Sequence, residues 1–146
     1  MSAPSHHGFS LTRRIAAKAD AVWNVILTPN RHWAAAFGEG TRVETDWAEG
    51  SPILWLDDEG HIGASGRVEE LRTGQSLRLR YHDMAARDAG AALGTYTETF
   101  ILVSDPPGHT ELRVQIDATP HMDNAAHRAL WDAALDRIQA QAEMSD

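Results

Sequence analysis

Hydrophobic and polar positions change period twice along this chain. Phe9, Leu11, Arg13 and Ile15 alternate, for the most part, with polar neighbours, which predicts a first strand from Phe9 to Ala16. From Ala19 to Leu27 the period lengthens. Val22, Trp23 and Ile26 make a helical face, and Asp20 sits in the first turn, where a negative charge suits the helix dipole. Thr28-Pro29-Asn30 ends that helix. A second short helix is predicted from Arg31 to Phe37, carrying Trp33 and Phe37, before Gly38-Glu39-Gly40 breaks the chain.

The period then falls to two, with glycine-rich turns between segments. Strands are predicted from Thr41 to Asp46, Pro52 to Leu56 and His61 to Leu71, the last with Ile62, Ala64, Gly66 and Val68 on one face. Asp57-Asp58-Glu59-Gly60 is a hairpin turn. The cleanest alternation is Ser76–His82: Leu77, Leu79 and Tyr81 against Arg78, Arg80 and His82. Such a strand has one covered face and one wet face. Met84 to Leu93 is alanine-rich and reads as a loop. Strands follow from Gly94 to Val103 and from Thr110 to Ala118, joined by the turn Asp105-Pro106-Pro107-Gly108.

The last stretch, Pro120 to about Met144, is one long amphipathic helix. Trp131, Leu135, Ile138 and Ala142 form its stripe, with Leu130 and Ala134 beside them. Arg128, Asp132, Asp136, Arg137 and Gln141 fall elsewhere and face water. Burial of Trp131, Leu135 and Ile138 stabilises the fold by roughly 1.5–3 kcal/mol each, and the strands supply the surface that covers them. The predicted class is therefore α+β: a curved antiparallel sheet of about seven strands wrapped around the C-terminal helix, with two short helices after the first strand.

Composition narrows the function classes. At 146 residues, one domain spanning 1–146 is expected, with residues 1–7 as a disordered tail. A net charge of −8 with no basic cluster argues against nucleic acid and anionic membranes as partners. The absence of cysteine excludes disulfides and thiol chemistry. The polar N-terminus does not read as a signal peptide, and no apolar run reaches spanning length, so a cytoplasmic protein is expected.

The ordered set of segments resembles the helix-grip superfamily (START-like, or SRPBCC), and within it the branch named after the activator of Hsp90 ATPase homologue. The residues that carry the resemblance are Ile15, then Ala21-Val22-Trp23 to Leu27-Thr28-Pro29; Trp33; Gly66-Arg67-Val68-Glu69-Glu70 leading to Leu77-Arg78-Leu79-Arg80-Tyr81; Thr97 to Leu102 with Gly108 to Leu112; and Trp131, Leu135 and Ile138. Lys18 departs from the pattern, since many relatives carry proline before the first helix. The resemblance implies an apolar cavity between the sheet and the long helix, opening near the short helices. Relatives include lipid and hormone carriers and polyketide cyclases, so the fold does not fix the function.

Candidate chemistry centres on the strand Gly94–Val103. Tyr96, Glu98, Phe100 and Leu102 share a face. If that face is inward, Glu98 is a carboxylate in an apolar cavity, its pKa rises, and it suits acid–base work. If the faces are reversed, Glu98 is a surface residue. Tyr81 and Tyr96 are candidate hydroxyl handles for a ligand, or core tyrosines. Trp33, Phe37, Trp55 and Phe100 complete the candidate lining, with Trp47 in the same aromatic group and core packing as the alternative for each. No metal site is expected. His121 and His127 are six apart and share no helix face as an i, i+4 pair would, and surface placement is expected for the histidines. Asp57-Asp58-Glu59-Gly60 lacks calcium-loop spacing. No nucleophile motif is present, and no cofactor is called for.

Three functions fit. The first is a binding protein for a small apolar or aromatic molecule. The second is a cofactor-independent cyclase, dehydratase or hydrolase using Glu98 with Tyr81 or Tyr96. The third is a stress-response or chaperone cofactor, by analogy with the branch's name. A homodimer is left open, because nothing in the sequence selects an interface.

Overall fold

The two-residue periods become one seven-stranded sheet, seen in a computed structural model that describes residues 7–82, 95–118 and 124–145. The strands are β1 (His7–Ile15), β2 (Arg42–Thr45), β3 (Pro52–Leu56), β4 (Ile62–Arg72), β5 (Ser76–His82), β6 (Thr95–Asp105) and β7 (His109–Ala118). Their order is β1-β7-β6-β5-β4-β3-β2, and every neighbouring pair is antiparallel. Helix α1 (Ala19–Ile26) follows β1, and α2 (Asn124–Ser145) closes the chain. The architecture is the predicted α+β helix-grip fold. The expected tail of residues 1–7 lies outside the described residues except for His7, which already pairs with Ala118. The expected loop Met84–Leu93 lies outside them entirely.

The α2 stripe is fully covered: Trp131, Ala134, Leu135, Ile138 and Ala142 are all 0% exposed. Leu130, expected beside the stripe, is instead 40% exposed, because it lies one residue off the buried arc. On the opposite side, Arg13 of β1 reaches Asp132 at 2.5 Å and Asp136 at 2.6 Å, so two residues expected merely to face water anchor the helix to the sheet edge. Glu143 adds a second tie by accepting the Ala16 backbone N–H at 2.9 Å.

Two local expectations need correction. The predicted helix Arg31–Phe37 is a pair of 3-10 turns, Pro29–Arg31 and Ala34–Phe37. Tertiary contacts bend it: the Asn30 side chain accepts the Val43 N–H at 2.6 Å and donates to the Val43 carbonyl at 2.9 Å. Trp33 meanwhile turns inward, its indole N–H donating to the Ile26 carbonyl at 3.2 Å. The second correction concerns β4, whose even face does not stay inward along its length. The register shifts between Val68 and Glu70, so Leu71 pairs with the buried Leu77 and packs on the core. A bulge of this kind moves the inner face from even to odd positions. At the other end of the strand Ile62 is 53% exposed.

Candidate functional site

Alternation on β5 and β6 sends Leu77, Leu79, Tyr81, Glu98, Phe100 and Leu102 inward, all buried. Tyr81 and Tyr96 are direct cross-strand partners, and their rings stack at 5.3 Å with planes 28° apart. β3 adds Trp55, whose indole N–H donates to the Tyr81 hydroxyl at 2.8 Å. The second 3-10 turn adds Phe37, which meets the Trp55 ring edge-on at 5.2 Å. These four rings line a pocket of about 240 Å³ between the sheet and α2. Glu98, His127, Thr41, Leu56, Asp57, Gly63 and Ala64 also line it, and of the ionisable side chains with a carboxyl group Glu98 is the buried one.

Trp33 and Phe100 do not line this pocket. They are 1% and 0% exposed and stand behind it. Trp33 contacts Trp55 at 5.6 Å and Trp131 at 5.5 Å, and Phe100 contacts Trp131 at 5.4 Å. They fix the positions of the lining rings rather than offering a surface. Trp47 packs at the edge of the core.

Glu98 faces inward and is 5% exposed. Burial away from water raises its pKa to about 8, and the nearby Trp131 indole N–H offsets this only in part. No well-formed hydrogen bond joins the two: Glu98 Oε1 and Trp131 Nε1 are both buried without a partner. At neutral pH Glu98 is therefore mostly a carboxylic acid. Tyr81 is likewise pushed up, by burial first and then by Glu98.

His127 corrects the sequence reading, which expects a surface histidine. Its Nε2 lies 3.9 Å from Glu98 Oε2, and its ring meets Phe9 edge-on at 5.6 Å and Tyr96 at 6.4 Å. Nδ1 is buried without a partner. Burial lowers its pKa, so the imidazole is neutral at pH 7. The signal was present in the spacing: His127 is four residues before Trp131 and extends the buried stripe by one turn.

Asp57 stands at the mouth. Its Oδ1 accepts the backbone N–H groups of His61 at 2.8 Å and Glu59 at 2.9 Å, which caps the β3–β4 hairpin. These bonds, that from the His61 N–H first, hold its pKa below the usual value, so it stays ionised. Among the described residues, no group of three or more His, Asp or Glu is arranged to hold a metal. Among them, too, no helix is long and apolar enough to cross a membrane. The arrangement offers an aromatic slot with a protonated acid, a neutral imidazole and a phenol in its lining.

The profile of the family described as "Activator of Hsp90 ATPase homolog 1-like protein" matches residues 16–143. No curated protein matches the chain. Among solved structures, a protein from Mesorhizobium loti is similar over 96% of this chain and 99% of its own, with a TM-score of 0.74 and 17% identity. An Hsp90 activator from Plasmodium falciparum is similar over 91% of this chain and 94% of its own, with a TM-score of 0.68 and 14% identity. A protein of the dynemicin biosynthetic locus is similar over 97% of this chain but 49% of its own, with a TM-score of 0.68 and 14% identity. At these identities the structures establish the fold alone.

Proposed function

We propose that this chain, which belongs to the activator of Hsp90 ATPase homologue 1-like family, holds a small, mainly apolar or aromatic molecule in the pocket that Glu98 lines. The observation that carries this reading is a contrast within the lining. Four aromatic rings line the space, and Glu98, whose Oε1 is buried without a partner, lines it with them. A buried polar atom without a partner costs about 1–3 kcal/mol, and a ligand that supplies the partner recovers part of it. The size supports a compact ligand. An apolar cavity of about 150 Å³ holds one benzene ring, so about 240 Å³ suits a single ring with a short substituent.

Native mass spectrometry of the purified protein, set against the same sample denatured, tests the proposal. A co-purified mass that leaves on denaturation supports it and identifies the ligand class. A bare mass that stays bare after incubation with single-ring aromatic compounds overturns it.

One observation favours a second reading, catalysis. A protonated Glu98 near a neutral His127 is a general acid with a proton acceptor 3.9 Å away. Glu98→Gln should then abolish turnover and keep binding; unchanged turnover would sink this alternative. A chaperone-cofactor role ranks below both. The likeness to the Plasmodium Hsp90 activator is one of fold, and the pocket's chemistry does not call for a protein partner.

A further inference from the structure

We propose that the pocket selects a small aromatic amine in its protonated form, with the ammonium seated between Glu98 and the faces of the surrounding rings. This rests on the reading above, that the pocket is a ligand site, and names the ligand's charge.

Among the described lining residues the ionisable groups are Asp57, Glu98, His127, Tyr81 and Tyr96. None is lysine or arginine. His127 is neutral at pH 7, because burial lowers its pKa. Asp57 at the mouth is ionised, and Asp58 and Glu59 follow it on the same exposed hairpin. An anionic ligand such as a fatty acid or an aromatic carboxylate would therefore enter past like charge and find no cation among the described lining residues. A cation meets attraction at the mouth and a carboxyl group in the lining.

Glu98 is about nineteen-twentieths buried, and its Oε1 has no hydrogen-bond partner. Ammonium is the group that gains most from it, since it brings both donors and the opposite charge. Glu98 then loses its proton to solvent on binding. The cost is small, because a group titrating near pH 8 is only about one unit from ionising at pH 7.

Phe37, Trp55, Tyr81 and Tyr96 line the same small space. Aromatic rings attract a cation through their π systems, and tryptophan is the strongest of the three ring types. An aromatic ligand body stacks on the same surfaces.

The groups that face Glu98 set the pH dependence. They are Tyr81 on β5, Tyr96 on β6, and His127 and the uncharged Trp131 on α2. Two of them act clearly: His127 is neutral above its lowered pKa, and Tyr81 titrates well above 10. Between them, Glu98 is the group that changes charge near pH 8.

The test is isothermal titration of the full-length protein with three compounds of matched shape: 2-phenylethylamine, 2-phenylethanol and phenylacetate. The amine should bind at least tenfold more tightly than the alcohol at pH 8, and phenylacetate should bind weakest. Amine affinity should rise from pH 6 to pH 8 with proton release, visible as a heat that depends on the buffer. Alcohol affinity should stay flat. Glu98→Gln should remove the preference for the amine while keeping alcohol binding. If that variant does not fold, the wild-type pH series and buffer dependence decide alone. Equal or tighter binding of the alcohol or the carboxylate overturns the charge assignment and leaves the binding reading intact. No binding of any of the three overturns both.

Discussion

Trp55 on β3 and Tyr81 on β5 are joined by a 2.8 Å hydrogen bond that passes over β4, the strand between them. The residues beneath make this reach feasible: Ala64 pairs with Trp55, and Gly66 pairs with Tyr81. Gly66 carries no side chain, and Ala64 only a methyl group, to stand between the two aromatic residues. The bond fixes two pocket walls to one another and leaves the Tyr81 hydroxyl with its own proton to donate.

Removing either partner should expose that dependence. Trp55→Phe leaves the buried Tyr81 hydroxyl without its donor, and Tyr81→Phe leaves the Trp55 indole N–H without its acceptor. Each should cost about 1–2 kcal/mol in urea unfolding. The double variant should cost less than the sum by about 1 kcal/mol. Strict additivity would mean that the bond does not form in solution.

Glu98 predicts a specific pH dependence of stability. Its folded pKa, about 8, lies above its unfolded value of 4.5. The folded state therefore binds more protons between those limits, and stability falls as pH rises from about 4.5 through 8. The full loss is on the order of 5 kcal/mol. Glu98→Gln carries no such charge. Its melting temperature should match that of wild type near pH 5 and exceed it near pH 9. Parallel curves for the two proteins across this range would contradict the burial of Glu98.

His127 acts with the opposite sign. Its folded pKa lies below 6.5, so the unfolded state binds the proton more readily. Stability is present above pH 6.5 and is lost as pH falls towards the folded pKa. His127→Gln should flatten that acid limb. Two-dimensional NMR of the ring protons provides an independent check, since a midpoint at or above 6.5 would place the imidazole in water instead.

Gly66 should tolerate no side chain. A Cβ there would collide with the Arg80 carbonyl oxygen, which is backbone and has no easy escape. Gly66→Ala should cost about 1–3 kcal/mol and loosen the Tyr81 wall. Gly63→Ala is the control. Its nearest neighbour, the Trp55 carbonyl oxygen, is 3.8 Å away, and the change should stay within about 0.5 kcal/mol.

The sequence by itself determined the fold class, nearly every strand, and the C-terminal helix with its buried face. These follow from hydrophobic period, which is a local property that each segment carries alone. Alternation on Ser76–His82 and the Trp131–Ala142 stripe needed no partner to be read. The even face of β6 carries Tyr96, Phe100 and Leu102, but Ile101 and Val103 on the other face make the alternation imperfect, and the burial of Phe100 and Leu102 decides which face is inward. Tertiary structure decided the rest. The Val68–Glu70 bulge depends on how β5 aligns. The break into two 3-10 turns depends on Asn30 finding Val43. The division between lining rings and supporting rings depends on packing depth, so Phe37 and Trp55 reach the pocket while Trp33 and Phe100 do not. His127 meets Glu98 only because α2 lies across the concave face of the sheet. That contact joins residues 29 apart in the chain, and no local period encodes a meeting that two separately folded surfaces create.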